Sequence, residues 1–386
     1  MPPPSTQDEF FDEPRAVSLH KLNLYGDYLT PWTYKLASGF RNLHVVDGFA
    51  GAGMYRRAQD GKVQDGSPRV AAVWAAEQER VRGYPVLQCI NVEADAGRYA
   101  ELQRNLAPWP GLVTNLPGTF AANLDAILER VQRNPVFFFL DPFGVAGIEM
   151  ALIEQILKRG GRHNELLIHF SDRAFKRMAG HVVNRDRLPV GRKVAESKLA
   201  RLDAVLGSPM WRRWWQDGAD TDAAFDKIVD LYLAQLRERG FAYAAPIAMR
   251  DNYGERPRYR LIFATRSAHG IALMSDIACR YERRLYDEHL AGQLDLLASS
   301  DEKVRARELR DRVHQTGLAL AAEATLEQII HHLAPRLFGK HTRPEYAQAI
   351  RDLVREGLID RDSPKGVGDR EPLRFIVPAQ GSLLAG

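Results

Sequence analysis

Three short segments put acidic side chains and bare backbone where a ligand can be held and altered. VVDGFAGAG, residues 45–53, closes an apolar run with Asp47 and continues through Phe49, Gly51 and Gly53. Glycine lacks a Cβ and tolerates left-handed backbone, so Gly51 and Gly53 let the main chain approach a bound group closely. NVEAD places Glu93 at the end of a second run, where nucleotide-binding α/β folds carry an acid that accepts hydrogen bonds from ribose hydroxyls. FFFLDPFG ends in Asp141, Pro142, Phe143 and Gly144. An exocyclic base amine is a poor nucleophile because its lone pair is delocalised into the ring; a carboxylate and a backbone carbonyl that accept its N–H bonds localise that pair. Asp141 and the Pro142 carbonyl are spaced for this, and Phe143 for stacking on a base taken out of its duplex or loop. The plainer alternative is a tight turn whose Asp141 caps the following helix.

The elements that must position these residues follow from periodicity. LHVVDGFA (43–50), VLQCINVEAD (86–95), GLVTNLPG (111–118), PVFFFLDPFG (135–144) and ELLIHFS (165–171) are continuous apolar runs, the mark of strands buried on both faces of a parallel sheet. SPRVAAVWAAEQERV (67–81), YAELQRNLA (99–107) and IEMALIEQILKRG (148–160) repeat apolar residues at helical spacing and read as crossover helices. FAYAAPIAMRD (241–251) and PRYRLIFATRS (257–267), joined by NYGER, read as a hairpin. The sum is an α/β, Rossmann-like, seven-strand class I methyltransferase fold over residues 20–295, after a disordered tail at 1–19.

Spacing also chooses between cofactors. A dinucleotide fingerprint needs a third glycine leading straight into a helix whose N-terminus holds the pyrophosphate. Here the next helix is expected only at Ser67 and Pro68, beyond MYRRAQDGKVQDG. That favours S-adenosylmethionine, which has no pyrophosphate, with Asp47, Phe49, Gly51, Gly53 and Glu93 around it. Asp47 would meet the cofactor's amino group directly or through water, or else serve only as a turn residue. Asp172, His169 and Thr119, also near strand ends, read as structural, His169 as a satisfied core histidine.

Charge points to a partner. The chain has 42 Arg and 11 Lys among its 53 basic residues, and arginine is the better fork for phosphates, although a coding bias would leave the same imprint. Residues 173–215 hold eleven Lys/Arg against three acids and end in Trp211, Trp214 and Trp215. A basic insertion over 173–225, with Arg177, Arg192, Lys193, Arg212 and Arg213 on a nucleic-acid backbone, is the expectation; a helical insertion with core tryptophans is the alternative. From residue 300 to 386 the pattern is helical, then compact: Thr325/Gln328 and Thr342/Glu345 form capping boxes, and LIDRDSPKGVGDREPLRFIVP reads as strand, turn, strand. Two helices and a hairpin resemble a winged helix, a module used for DNA and for protein contacts.

Composition excludes several classes. The chain has 386 residues, 26% charged, with two cysteines, Cys89 and Cys279, too few and too far apart for a thiolate metal site. No run reaches the roughly 18 apolar residues of a spanning helix, so no membrane contact is expected, and the cytoplasm is the expected compartment.

KLNLYGDYLTPW (21–32), VVDGFAGAG (45–53), DGSPRVAA (65–72), FFFLDPFG (137–144) and LIFATRSAHGIALM (261–274) occur in this order. Together they resemble the three-Cys-motif partner family, TcmP. The resemblance covers residues 20–290 and implies a methyltransferase-like domain with a radical S-adenosylmethionine-like three-cysteine protein as partner; it implies no settled substrate. Asp141 to Gly144 are also similar to the motif of tRNA enzymes that methylate the guanosine N2 amine. Where many methyltransferases carry an acid near the adenine amine, this chain has Gly118 and Thr119.

Overall fold

The computed structural model describes residues 16–56, 62–142, 148–183, 192–215, 220–290, 298–320, 323–362 and 367–377. The chain divides into two compact units, Met1–Gly270 and Ile271–Gly386.

The first unit is built on a seven-stranded sheet. Its strands are β1 (Leu43–Asp47), β4 (Leu87–Glu93), β5 (Val113–Pro117), β6 (Val136–Leu140), β7 (Asn164–Phe170), β8 (Tyr243–Met249) and β9 (Tyr259–Thr265). They lie in the order β5-β4-β1-β6-β7-β9-β8; the first five are parallel, and β9 runs antiparallel to both β7 and β8. This is the Rossmann-like, seven-strand arrangement the apolar runs predict. The strand order reverses beside β1, the place where such sheets leave a crevice at their carboxyl ends.

Helices cover both faces: α1 (Ala16–Leu36), α2 (Ser67–Arg82), α3 (Ala96–Leu106), α4 (Phe120–Val131), α5 (Met150–Arg159), α6 (Asp172–Val183), α7 (Arg192–Leu206) and α8 (Thr221–Glu238). Strand β6 shows why its run is apolar throughout. Phe137 and Phe139 meet Tyr25, Tyr28 and Trp32 of α1 on one face, whereas Phe138 meets Phe120 of α4 on the other. Period-two alternation therefore gives β6 two buried faces. Helix α1 is also pinned by polar contacts, with the Tyr28 hydroxyl donating to Glu165 Oε2 at 2.5 Å and Thr265 Oγ1 to Oε1 at 2.7 Å. The helix takes in residues 16–19, which corrects the expected tail: Val17 is buried and its carbonyl accepts from Tyr259 Oη at 3.1 Å.

Between the glycine loop and α2 stands a hairpin with no strand signal in the sequence, β2 (Met54–Arg56) with β3 (Val63–Asp65). Strands of three residues are too short to show alternation. The Gly66 N–H closes the excursion onto the Gly53 carbonyl at 2.9 Å.

In the second unit, α9 (Ala268–Leu290) is tied to residues 339–345. Gly339 N–H donates to Ser275 Oγ at 3.0 Å, Arg343 N–H to Asp276 at 2.7 Å, and Arg283 pairs with Glu345 at 2.5 Å. These bonds explain why the division falls at 270/271 rather than near 295. Beyond it come α10 (Ala298–Leu320), β10 (Glu323–Ala324), α11 (Leu326–Leu333), α12 (Arg343–Arg355), β11 (Ile359–Arg361) and β12 (Leu373–Phe375). Both capping boxes form, and the strands make a small antiparallel sheet, β10-β12-β11, around Leu373 and Phe375.

Candidate active site

The three strand-end acids converge. Asp47 ends β1, Glu93 ends β4 and Asp141 follows β6, and all three carboxylates raise the pKa of the Tyr55 phenol, on top of its burial. Tyr55 lies on β2, with its hydroxyl 3.8 Å from where a Cβ on Gly51 would stand. The unforeseen hairpin thus lays a phenol over the glycine loop.

The loop is built for bare backbone. Gly51 and Gly53 adopt φ of +62° and +77°, left-handed values that side chains resist. A Cβ at Gly53 would lie 3.0 Å from Leu102, and one at Gly66 2.9 Å from the Gly53 carbonyl. Glu93 holds this loop: its Oε2 accepts from Gly51 N–H at 2.8 Å, its Oε1 from Asp95 N–H at 2.8 Å and from Arg98 Nε at 3.3 Å. Asp47 is buried, accepting from Phe49 N–H at 3.0 Å and Ser67 Oγ at 2.6 Å. Burial pushes its carboxyl up to about 7, against those two hydrogen bonds. Phe49 packs against Phe120, 6.2 Å between ring centres. Asp47 thus caps the turn that follows β1, and Glu93 carries a loop-bracing role that spacing did not reveal. Thr119 caps α4, accepting from Ala122 N–H at 3.2 Å.

Asp141 is 24% exposed and has two neighbours that the sequence reading did not assign to the site. Lys21 of α1, itself 14% exposed, donates to its Oδ2, and His169 Nδ1 stands 3.1 Å from its Oδ1. Burial alone would raise the Asp141 carboxyl, but the Lys21 ammonium and then His169 hold it below the ordinary carboxylate range. His169 stays neutral: burial takes it down to about 4, although the Asp141 carboxylate and the Pro142 carbonyl pull the other way. Its ring meets Tyr259 edge-on, with centres 4.2 Å apart.

A sequence signal for this cluster existed. Lys21, Tyr25, Tyr28 and Trp32 recur at i, i+4, i+7 and i+11, one face of a helix. Asp141 shares strand parity with Phe137 and Phe139, and His169 with Glu165, so all point toward α1. Asp141 does not cap α5, whose N-cap is Glu149, which removes the capping alternative. Phe143 and Gly144 lie outside the described residues.

The basic insertion gives a mixed result. Arg177, Lys193 and Arg213 are exposed on α6, α7 and the short 3-10 turn Met210–Arg213, and the Arg192 side chain lies outside the described residues. Arg212 is bound to Asp203 through Nη2 at 2.5 Å and Nε at 3.1 Å. The tryptophans correct the expected aromatic strip. Trp211 is 0% exposed, with Nε1 donating to Asp203 at 2.8 Å, Trp215 is buried, and Trp214 packs on the same core. Phe175 of α6 meets both buried indoles edge-on and is itself met by Phe225 of α8, so neither Trp211 nor Trp215 offers a face to a base.

The donor set suits the cofactor expected from the spacing. A bare glycine cradle at Gly51 and a buried acid at the end of β4 are groups that would fit the backbone approach and ribose hydroxyls of a nucleoside. Gly51, Gly53, Phe49 and Glu93 would hold it, with Asp47 bracing the loop.

No protein-family model and no curated protein matches the chain. Solved structures do. A DszA carbon methyltransferase is 14% identical over 66% of this chain and 56% of its own, with a TM-score of 0.38. The CMeT domain of the citrinin polyketide synthase is 13% identical over 58% of this chain and 47% of its own, at 0.28. The Legionella pneumophila protein LPL1258 is 10% identical over 63% and 84%, at 0.36. The chain spans about half the length of the two methyltransferases. At such scores the fold assignment rests on strand order and register instead.

Proposed function

We propose that this chain is an S-adenosylmethionine-dependent methyltransferase acting on an amino group of a nucleic acid. The observation that carries the reading is that Asp141 and Pro142, the glycine loop and Glu93 stand at the carboxyl ends of three neighbouring strands, β6, β1 and β4. When bound, the cofactor supplies an electrophilic methyl on a sulfonium. The chain's residues supply the rest: Glu93 and the loop orient the cofactor, and Asp141 with the Pro142 carbonyl accepts the amine's N–H bonds, which directs the nitrogen lone pair. Lys21 keeps Asp141 ionised and therefore accepting. The substrate amine must share the Asp141 acceptor sites with Lys21, which donates to Oδ2 in this state.

That sharing favours a second reading, in which the scaffold is non-catalytic and docks nucleic acid or a radical S-adenosylmethionine-like three-cysteine partner. The two separate by titration calorimetry with S-adenosylmethionine and S-adenosylhomocysteine, followed by labelled-methyl transfer to DNA and RNA. Binding that survives Asp141→Asn but not Glu93→Ala, with transfer lost in both, supports the enzyme. Absence of cofactor binding by the wild-type chain sinks it and leaves the scaffold.

A further inference from the structure

Beside the Asp141 cluster opens a cleft of about 470 Å³, formed by Asp172, Arg173 and Lys176 from the first turns of α6 and by Glu255, Arg256 and Arg258 from the β8–β9 turn. Its volume falls within the roughly 300–1,000 Å³ of small-molecule sites, large enough for a nucleotide unit rather than a lone ion. We propose that this cleft binds the phosphodiester backbone of a nucleic-acid strand beside the base presented to Asp141, an inference that rests on the reading above and locates its substrate.

The placement follows from the chain. Arg258 precedes Tyr259, whose ring abuts His169, and His169 stands 3.1 Å from Asp141. Arg173 follows His169 by four residues, so its Cα lies within roughly 14 Å of it even if the backbone were fully extended. These chain connections put the cleft and the acceptor carboxylate at the same end of β7 and β9, near enough for neighbouring nucleotides of one strand. The β8–β9 turn is ordered by its own bonds: Arg258 N–H to the Met249 carbonyl at 2.8 Å, Arg250 Nε to the Glu255 carbonyl at 2.9 Å, and Asn252 Nδ2 to Glu255 Oε1 at 2.8 Å.

The cations are held but not used up. Asp222 of α8 bridges two of them, pairing with Lys176 and, at 2.5 Å, with Arg256, which is nonetheless 88% exposed. Arg258 pairs with Asp251 at 2.5 Å, and Arg173 has no carboxylate partner among the described residues. A guanidinium carries five N–H donors and one carboxylate engages at most two, so each arginine keeps a fork for phosphate. Asp222 acts here as the internal competitor of the phosphate. None of these cations is among Arg177, Arg192, Lys193, Arg212 and Arg213, the insertion residues expected on the backbone, one of which Asp203 already holds.

Fluorescence anisotropy with labelled single-stranded oligo-U RNA and oligo-dT DNA tests the proposal, with the two probes separating RNA from DNA as the source of the phosphates. Arg173→Ala/Arg256→Ala should weaken binding at least ~10-fold and flatten the salt dependence by about 1.4, since each single-strand phosphate contact contributes about 0.7 to the slope. Asp222→Asn should tighten binding several-fold, an outcome that loss of folding cannot mimic. Arg80→Ala/Arg159→Ala, the same charge change elsewhere on the surface, should leave affinity unchanged. No binding by the wild-type chain, equal affinity of the cleft variant, or an equal loss in the control would each overturn the proposal. Calorimetry of the cleft variant with S-adenosylhomocysteine keeps the two readings apart. Strand binding lost with cofactor binding intact supports the cleft whether or not methyl transfer is found, whereas methylated nucleic acid with unaltered strand affinity would reject the cleft and keep the enzyme.

Discussion

Lys21 on the first helix donates to the carboxylate of Asp141, 120 residues away at the end of β6. The ammonium also stands 5.8 Å from the centre of the Tyr259 ring, so one cation joins α1, β6 and β9 at the edge of the candidate site.

Replacing Lys21 by Met keeps the stem and removes the charge, leaving a mostly buried Asp141 carboxylate without its ammonium. The expected loss is about 1–3 kcal/mol at neutral pH. The folded-state pKa of Asp141 lies below its ordinary value, so its pairing stabilises fully above the ordinary carboxylate range and fades as pH falls through the depressed value. Urea unfolding of the two proteins should therefore converge in acid; a gap that persists there would mean Lys21 acts through packing alone.

Asp47 predicts the opposite slope. Its folded pKa of about 7 stands above the ordinary 3.8, so between these values the folded state holds a proton that the unfolded chain has released. Stability contributed by this group falls as pH rises through that window and the penalty is complete above it. Asp47→Asn retains an acceptor for Phe49 N–H and escapes the penalty. Relative to wild type it should gain about 2–4 kcal/mol between mildly acidic and mildly alkaline pH, since each tenfold change in proton affinity is worth about 1.4 kcal/mol. Thermal melts across that range check it; parallel curves would show that Asp47 ionises as freely in the fold as outside it.

The glycine loop separates conformation from space. Gly53→Ala forces a side chain into left-handed backbone and against Leu102, and should cost about 1–3 kcal/mol. Gly66→Ala keeps an allowed extended φ of −87° but drives its Cβ against the Gly53 carbonyl. Both should weaken cofactor binding, seen by calorimetry with S-adenosylhomocysteine. If Gly66→Ala alone is silent, the loop yields to crowding and only its backbone angles matter.

Trp211→Ala should cost about 3–5 kcal/mol by the cavity it leaves in the core, whereas Trp211→Phe should fold and bind oligonucleotides as wild type does. Chemical denaturation and anisotropy read the two effects separately. A fall in strand affinity for the well-folded Phe variant would return this indole to the binding surface.

Much of the site was legible in the chain, though unevenly. The runs ending at Asp47, Glu93 and Asp141 announced parallel strands with acids at one end, because side chains buried on both faces leave no polar alternation. Gly51 and Gly53 marked a loop of bare backbone, but their left-handed angles were shown only by the fold. Residues 54–65 gave no sign of a hairpin, and the arginines of 173–215 gave no sign of which were already paired, since charge counts say nothing about geometry.

What the sequence by itself determined was the seven strands of the main sheet, several of the crossover helices and their order, because those depend on periodicities of two and 3.6 residues that any local window records. Only the tertiary structure decided who meets whom: Lys21 with Asp141, Glu93 with the Gly51 N–H, Trp211 with Asp203, Asp222 between Lys176 and Arg256. A stripe such as Lys21–Tyr25–Tyr28–Trp32 fixes which side of a helix is buried but not the strand it lies against. That choice is made by close packing of whole faces, where polar groups must find partners from distant parts of the chain or remain costly to bury.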